Sequence, residues 1–189
     1  LCLRGPHLYG FVHRTFLEYL TATEYVRRFD RQPQQMTIQD LIRLFDQYCR
    51  EDEWREVLRL ICGQIDDQFV GQVIQQLATR VDFTQVDDGR IFPELPLAIW
   101  CLSEVRNPSR ISESGSELMV AVVKFFLKAK HPSREFILEL INATKEVGTR
   151  WPGKSVFMFS NQLPSGSPFY HHWYWPHFLA AAFEQRRWI

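Results

Sequence analysis

One spacing of apolar residues repeats along most of the chain and strongly limits how the chain can fold. Apolar side chains recur at intervals of three and four residues, the spacing that aligns them on one face of an α-helix. The stripes occupy the segments 16–28, 38–45, 54–65, 69–77, 95–105, 117–130 and 136–144. Together with one short strand over 7–13, they predict a mainly α-helical protein.

Polar residues and prolines stand where several of these stripes begin. Thr37, Asp52 and Ser133 each precede a stripe and suit the N-cap position, because their side-chain oxygens accept hydrogen bonds from the first backbone N–H groups of a helix. Pro96 can occupy the first turn of its helix, where a missing N–H costs little. The acidic pair at 66–67 is predicted to start the fourth helix.

The pattern also predicts which surfaces are buried. Phe16, Tyr19 and Leu20 lie on the stripe of the first helix, and we expect them to face a core. The segment 117–130 is apolar almost all round, which predicts a central, buried helix.

Three of the stripes resemble one another at a fixed distance. The apolar triplets 57/58/61, 98/99/102 and 137/138/141 are offset by 41 and 39 residues. HEAT and armadillo arrays repeat with a period of about 40–47 residues. The spacing therefore favours stacked helical hairpins over a compact bundle.

The charge and cysteine content exclude several classes of protein. The chain has 189 residues with 22 Lys+Arg and 22 Asp+Glu, so it lacks the basic excess of a nucleic-acid binder or of a polybasic membrane anchor. No apolar run reaches the ~20 residues that a membrane helix needs, and no signal-peptide pattern opens the chain. The 4 cysteines show no CxxC spacing, which favours reduced, buried thiols in a cytoplasmic protein.

The common catalytic and phosphate-binding motifs do not occur. The sequence lacks GxxxxGK(S/T), GxGxxG, HExxH and GxSxG, so we predict no enzymatic activity for this chain. One stretch is rich in histidine and contains His171, His172 and His177. Adjacent histidines point in different directions and no Cys or acidic residue is near, so we predict no metal site there. An aromatic-rich loop that packs on a last helix, or an exposed binding surface, accounts for the same residues.

A different signal lies at 11–22, where the predicted strand meets the first helix. The strand delivers His13 to this junction, and Arg14 or Thr15 begins the helix. A helix N-terminus carries unbonded N–H groups and a partial positive charge, so His13 beside a basic neighbour suits an anion such as a phosphate. The alternative is that His13 only caps the helix or packs locally.

The run 11–22 resembles the winged-helix segment of NACHT-type STAND NTPases. That segment follows the approximate pattern Phe-x-His-x-(Ser/Thr)-Phe-x-Glu-(Tyr/Phe)-Leu-x-Ala. The matching positions are Phe11, His13, Thr15, Phe16, Glu18, Tyr19, Leu20 and Ala22. The stretch 52–63 is similar to the helix that follows in bacterial members, and 97–105 is similar to their later helical repeats.

The resemblance implies a domain organisation. Residues 1–30 would be the C-terminal part of the winged-helix domain. Residues 31–147 would form a sensor or scaffold region of HEAT-like or armadillo-like helical hairpins, and 148–189 an aromatic-rich C-terminal segment with a final helix. Because the chain begins at Leu1 and has no Walker motifs, we expect a nucleotide-binding core and an effector domain to precede it.

The resemblance also implies a function for the longer protein. In family members the His of this motif reaches the phosphates of bound ADP and helps to hold the closed, resting state. By position that residue is His13, with Arg14 beside it. The parent protein would bind ADP and ATP, or GTP, whereas this chain alone would hold no cofactor. Activation would lead to self-oligomerisation in response to a protein trigger, with a protein effector downstream, in bacterial defence or signalling.

Two other readings of the sequence involve no nucleotide. The first is a stand-alone α-helical-repeat adaptor that mediates protein–protein interactions. The second is a metal enzyme centred on 171–177, which the missing ligands disfavour.

Overall fold

The computed structural model describes residues 2–5, 8–10, 13–31, 36–81, 92–128, 133–147 and 150. Within these ranges most residues are helical, which confirms the predicted mainly α fold class. The internal contacts of the chain divide it into two compact units, Leu1–Ile65 and Asp66–Ile189. The domain boundaries predicted at 30/31 and 147/148 stay predictions.

The first unit begins with an antiparallel β-hairpin. Strand β1 (Cys2–Gly5) pairs with strand β2 (Leu8–Gly10), and Leu3 lies opposite Tyr9. Strand β2 falls inside the segment predicted as a strand. The sequence pattern did not predict its partner β1, because strands pair through backbone groups and a very short strand leaves little side-chain alternation.

Three helices complete the described part of this unit. They are α1 (Arg14–Arg31), α2 (Ile38–Tyr48) and α3 (Arg55–Cys62), and α1 packs against α3. A capping box starts α2, as predicted at Thr37. The backbone N–H of Asp40 donates to Thr37 Oγ1 at 3.3 Å, and the backbone N–H of Thr37 donates to Asp40 Oδ2 at 2.9 Å.

The predicted cap at Asp52 is wrong. Helix α3 begins three residues later, at Arg55, and its N-cap residue Trp54 makes no side-chain capping hydrogen bond. Asp52 instead accepts a hydrogen bond from the Arg55 guanidinium at 2.7 Å. The Asp52 carboxylate is thus bonded to a side chain of the helix and does not accept from the first backbone N–H groups.

Among the described residues of the first unit, the core is formed by small and branched apolar side chains, one methionine and one phenylalanine. The buried side chains are Ala22, Val26, Met36, Leu41, Leu44, Phe45, Cys49, Val57, Leu58, Ile61, Cys62 and Ile65. Helix α3 buries the apolar stripe that its spacing predicted, because the stripe lies on one helix face. On α2, Leu41 and Phe45 of the predicted stripe are buried, whereas Ile38 and Ile42 are only half-buried.

The described residues of the second unit form four helices and a 3₁₀ turn. The helices are α4 (Asp67–Thr79), α5 (Glu94–Glu104), α6 (Ser112–Lys128) and α7 (Arg134–Val147), and the turn is Pro108–Ile111. Helix α4 packs against α5 and α6, and α5 packs against α7. The predicted start signals at Asp66, Pro96 and Ser133 are confirmed: the Gln68 N–H donates to the Asp66 carboxylate at 2.9 Å and the Phe136 N–H donates to Ser133 Oγ at 3.2 Å.

The most thoroughly buried helix described in this unit is α5, and the prediction that 117–130 is the central helix is wrong. Every residue from Glu94 to Leu102 is buried. On α6, in contrast, Val120 is 47% exposed and Lys124 is exposed. The apolar stripes of α5 and α6 have similar apolar content. Helix α5 is the more deeply buried because it packs against both α4 and α7.

Two adjacent aspartates hold the segment that follows α5. Asp67 is 7% exposed, and its carboxylate accepts the backbone N–H groups of Arg106 at 3.2 Å and Asn107 at 3.1 Å. Asp66 pairs with Arg110 at 3.1 Å. The hydrogen bond from the Gln68 N–H, aided by Arg110, holds the pKa of Asp66 below its usual range. These contacts join the start of α4 to the turn before α6.

Candidate functional site at the start of helix α1

His13, the residue predicted to contact a phosphate, directly precedes α1 and is exposed. Its carbonyl oxygen accepts the backbone N–H of Phe16 at 3.2 Å, which closes the first turn of the helix. The imidazole lies 6.1 Å from the Phe16 ring, measured between centroids, with the ring planes tilted by 54°. The structure therefore places His13 at a helix N-terminus, as the sequence predicted.

The first turn of α1 contains no acidic residue. The partial positive charge of the helix N-terminus is therefore not offset by a carboxylate within that turn. An exposed imidazole next to such a terminus is chemically suited to an anion, because both the ring and the first backbone N–H groups can donate hydrogen bonds to it.

Arg14, the second predicted phosphate contact, is directed to other partners. Its Nε donates to Glu18 Oε1 at 2.6 Å, and its Nη2 donates to the carbonyl oxygen of Glu53 at 3.3 Å. The hydrogen bond and charge of Glu18 raise the pKa of Arg14 above its usual value, and the charge of Glu53 adds to the effect. A phosphate at His13 would have to compete with Glu18 for this guanidinium.

The apolar stripe predicted to bury the first turns of α1 is exposed, and that prediction is wrong. Phe16 is 62% exposed, Tyr19 is 50% exposed and Leu20 is 49% exposed. The buried residues of α1 lie farther along the helix: Val26, which continues the same stripe, and Ala22. The spacing therefore predicts the apolar stripe correctly but does not reveal which part of it is buried.

A cavity of about 360 Å³ lies beside the first turns of α1. Arg14 and Glu18 contribute to its lining from α1, and Glu53 and Trp54 contribute from the turn that precedes α3. The remaining lining residues are Leu17, Thr21 and Val57. The cavity thus combines one ion pair with an indole ring and aliphatic side chains.

Aromatic rings fix the position of Trp54 in the cavity wall. The indole stacks on the Tyr48 ring with centroids 3.9 Å apart and planes inclined by 14°, and the edge of Tyr25 meets it at 6.1 Å. These three residues come from the end of α2, the turn before α3 and the middle of α1. The sequence did not predict the cluster or the cavity, because the three rings come together only when α1, α2 and α3 pack against one another.

The described ranges contain no group of three or more His, Cys, Asp or Glu side chains arranged to hold a metal ion. None of their helices combines the length and apolarity required of a membrane span. Cys49, Cys62 and Cys101 are buried, as predicted. The histidines at 171, 172 and 177 lie outside these ranges.

Comparison with models of protein families, with curated proteins and with solved structures finds no match to this chain. The case for a function therefore depends on the motif at 11–22 and on the geometry around α1.

Proposed function

We propose that this chain is the C-terminal regulatory and sensor portion of a NACHT-type STAND NTPase. In this proposal residues 1–30 end a winged-helix domain, and the helices that follow form a HEAT-like or armadillo-like sensor. The observation that carries the proposal is the exposed imidazole of His13 at the N-terminus of α1, in the position that the motif assigns to it.

In the resting protein His13 would donate a hydrogen bond to a phosphate of ADP held by the preceding NTPase core. ADP supplies the anionic phosphates, and His13 can meet them with its exposed imidazole beside the positive end of the α1 dipole. Arg14 would join this contact only after exchanging its bond to Glu18. Loss of the contact would release the resting state and permit oligomerisation.

The test uses the longer protein encoded by the same gene. His13→Ala is expected to weaken retention of ADP and to raise basal activation, since one hydrogen bond to a charged phosphate is lost. Such bonds contribute about 1.5–3 kcal/mol, so ADP affinity is expected to fall roughly tenfold or more. Labelled-nucleotide dissociation measures the effect, and His177→Ala provides a histidine control outside the motif.

Unchanged ADP affinity in His13→Ala would refute the role of this residue. An upstream coding sequence without a GxxxxGK(S/T) motif would refute the family assignment itself.

A second candidate is a stand-alone helical-repeat adaptor for protein–protein interaction. The exposed apolar residues of α1 favour it, because contiguous exposed apolar surface marks interaction sites. A reading frame that begins just before Leu1 would support the adaptor and exclude the NTPase.

A further inference from the structure

The lining of the cavity beside α1 has an excess of negative charge. The Glu18 side chain is 12% exposed, and Arg14 occupies its Oε1. No residue that the structure describes donates a hydrogen bond to Glu18 Oε2. Glu53 adds a second carboxylate close enough to raise the pKa of Arg14. The lining therefore includes two acidic residues and one basic residue, and its net negative charge favours a cation.

The same lining also includes apolar side chains. Leu17 and Val57 supply aliphatic surface, and the indole of Trp54 is fixed by its stacking on Tyr48. A volume of about 360 Å³ suits one long side chain. Lysine and arginine place an aliphatic stem on apolar surface while the charged head reaches a polar group, which matches this arrangement.

The surface next to the cavity explains why the ligand would be a polypeptide. Leu17 lines the cavity and is itself 47% exposed, next to the exposed Phe16 and Leu20 on the same helix. The turn 51–53 adds three exposed acidic residues in succession. An apolar face with an acidic border complements a segment that carries both apolar and basic side chains.

We propose that this cavity binds the lysine or arginine side chain of a partner polypeptide. The stem lies against Leu17, Val57 and Trp54, and the cationic head meets Glu18 and Glu53. Apolar residues that flank the basic residue in the partner rest on Phe16 and Leu20. The contact requires no nucleotide, so it is independent of the role proposed for His13.

The experiment is a titration of the ¹⁵N-labelled full chain with N-acetyl-Leu-Arg-Leu-amide, followed by NMR. The expected result is a saturable shift of the backbone signals of residues 14–21 and 53–57. The matched peptide with citrulline in place of arginine has nearly the same shape without the charge. It is expected to bind at least about tenfold more weakly, because it loses charge-assisted hydrogen bonds.

Three variants connect the binding to the named groups. Glu18→Gln and Glu53→Gln are each expected to weaken binding of the arginine peptide by about tenfold. Glu53 is exposed, so its variant retains the fold even if Glu18→Gln disturbs α1. Glu56→Gln, outside the cavity lining, is the control and is expected to leave binding unchanged.

Equal binding of the citrulline and arginine peptides would overturn the proposal, as would undiminished binding in Glu53→Gln. Concentration-dependent shifts of the same residues without peptide would show that a second copy of the chain occupies the surface, and would also overturn it.

Discussion

At the scale of single residues, the surface of α1 is organised by ion pairs one turn apart. Glu24 is the centre of the largest described group on this helix. Its carboxylate accepts hydrogen bonds from Arg27 at 2.8 and 2.9 Å and from Arg28 at 2.7 Å. The hydrogen bonds from Arg27 and then Arg28 lower the pKa of Glu24 to about 2. The charged form of Glu24 is therefore favoured by the folded helix.

This predicts a pH-dependent effect of Glu24→Gln. Because the pKa of Glu24 is lower in the folded state than its ordinary 4.5, its contribution is complete above pH 4.5 and is lost as the pH falls towards 2. The variant is expected to be less stable than the natural chain at pH 7, with a difference that shrinks between pH 4.5 and 2. Urea unfolding at several pH values measures the difference.

The exposed Glu51 provides the matched control for that prediction. Glu51→Gln removes the same charge from a position without an ion pair to any residue that the structure describes, and it should show no such trend. A stability difference for Glu24→Gln that is constant across this pH range would contradict the assignment.

At the scale of helices, α4 approaches the turn before α6 so closely that a glycine is required. A Cβ added at Gly71 would lie 2.9 Å from Ile111 Cγ2 and 3.1 Å from Ser114 Oγ. The first distance is shorter than carbon atoms tolerate, so the neighbouring side chain or the helix would have to move. Gly71 is costly to the helix on its own, since alanine is favoured by about 1 kcal/mol within helices. The packing contact explains why glycine stands there.

Gly71→Ala is therefore expected to lower the free energy of unfolding, although alanine is the better helix former. Overpacking typically costs about 1–3 kcal/mol, which outweighs the gain in helix propensity. The same substitution in an Ile111→Ala background, where the clashing methyl group is absent, should be neutral or stabilising. Chemical denaturation of the four proteins measures the coupling. Equal costs of Gly71→Ala in both backgrounds would show that Ile111 does not set the constraint.

For the whole chain, the balance of charge predicts that self-association depends on pH. Basic and acidic side chains are equal in number, 22 of each, and the calculated isoelectric point is about 7.2. Proteins repel one another least near zero net charge, and this chain also exposes apolar side chains on α1. Association between copies is therefore favoured near neutral pH.

We expect the solubility of the chain to pass through a minimum near pH 7.2 and to rise at pH 8.5. Precipitation with polyethylene glycol across this range measures it. Phe16→Ser should raise solubility at pH 7.2 if the exposed face of α1 drives association, whereas Val57→Ser, at a buried position, should not. Solubility that decreases steadily from pH 6 to 8.5 would contradict the prediction.

The positions of most helices could be predicted from the sequence, because helix formation depends on local spacing and on capping side chains. Thr37, Asp66 and Ser133 each make the hydrogen bond that starts a helix, within three residues of themselves. His13 lies directly before α1 because the start of this helix also depends on the local spacing of residues. Asp52 is the exception, since its carboxylate pairs with Arg55 instead of the backbone.

Local patterns in the sequence are therefore enough to predict the helical class, most helix starts and the place of His13, all of which depend on residues a few positions apart. Tertiary contacts, in contrast, determine that α5 and not α6 is the deeply buried helix and that Phe16, Tyr19 and Leu20 are exposed. The cavity at Trp54 also depends on tertiary contacts, since residues of α1 and of the turn before α3 both line it. These features depend on which helix faces meet, and residues distant in sequence determine those contacts through burial and packing.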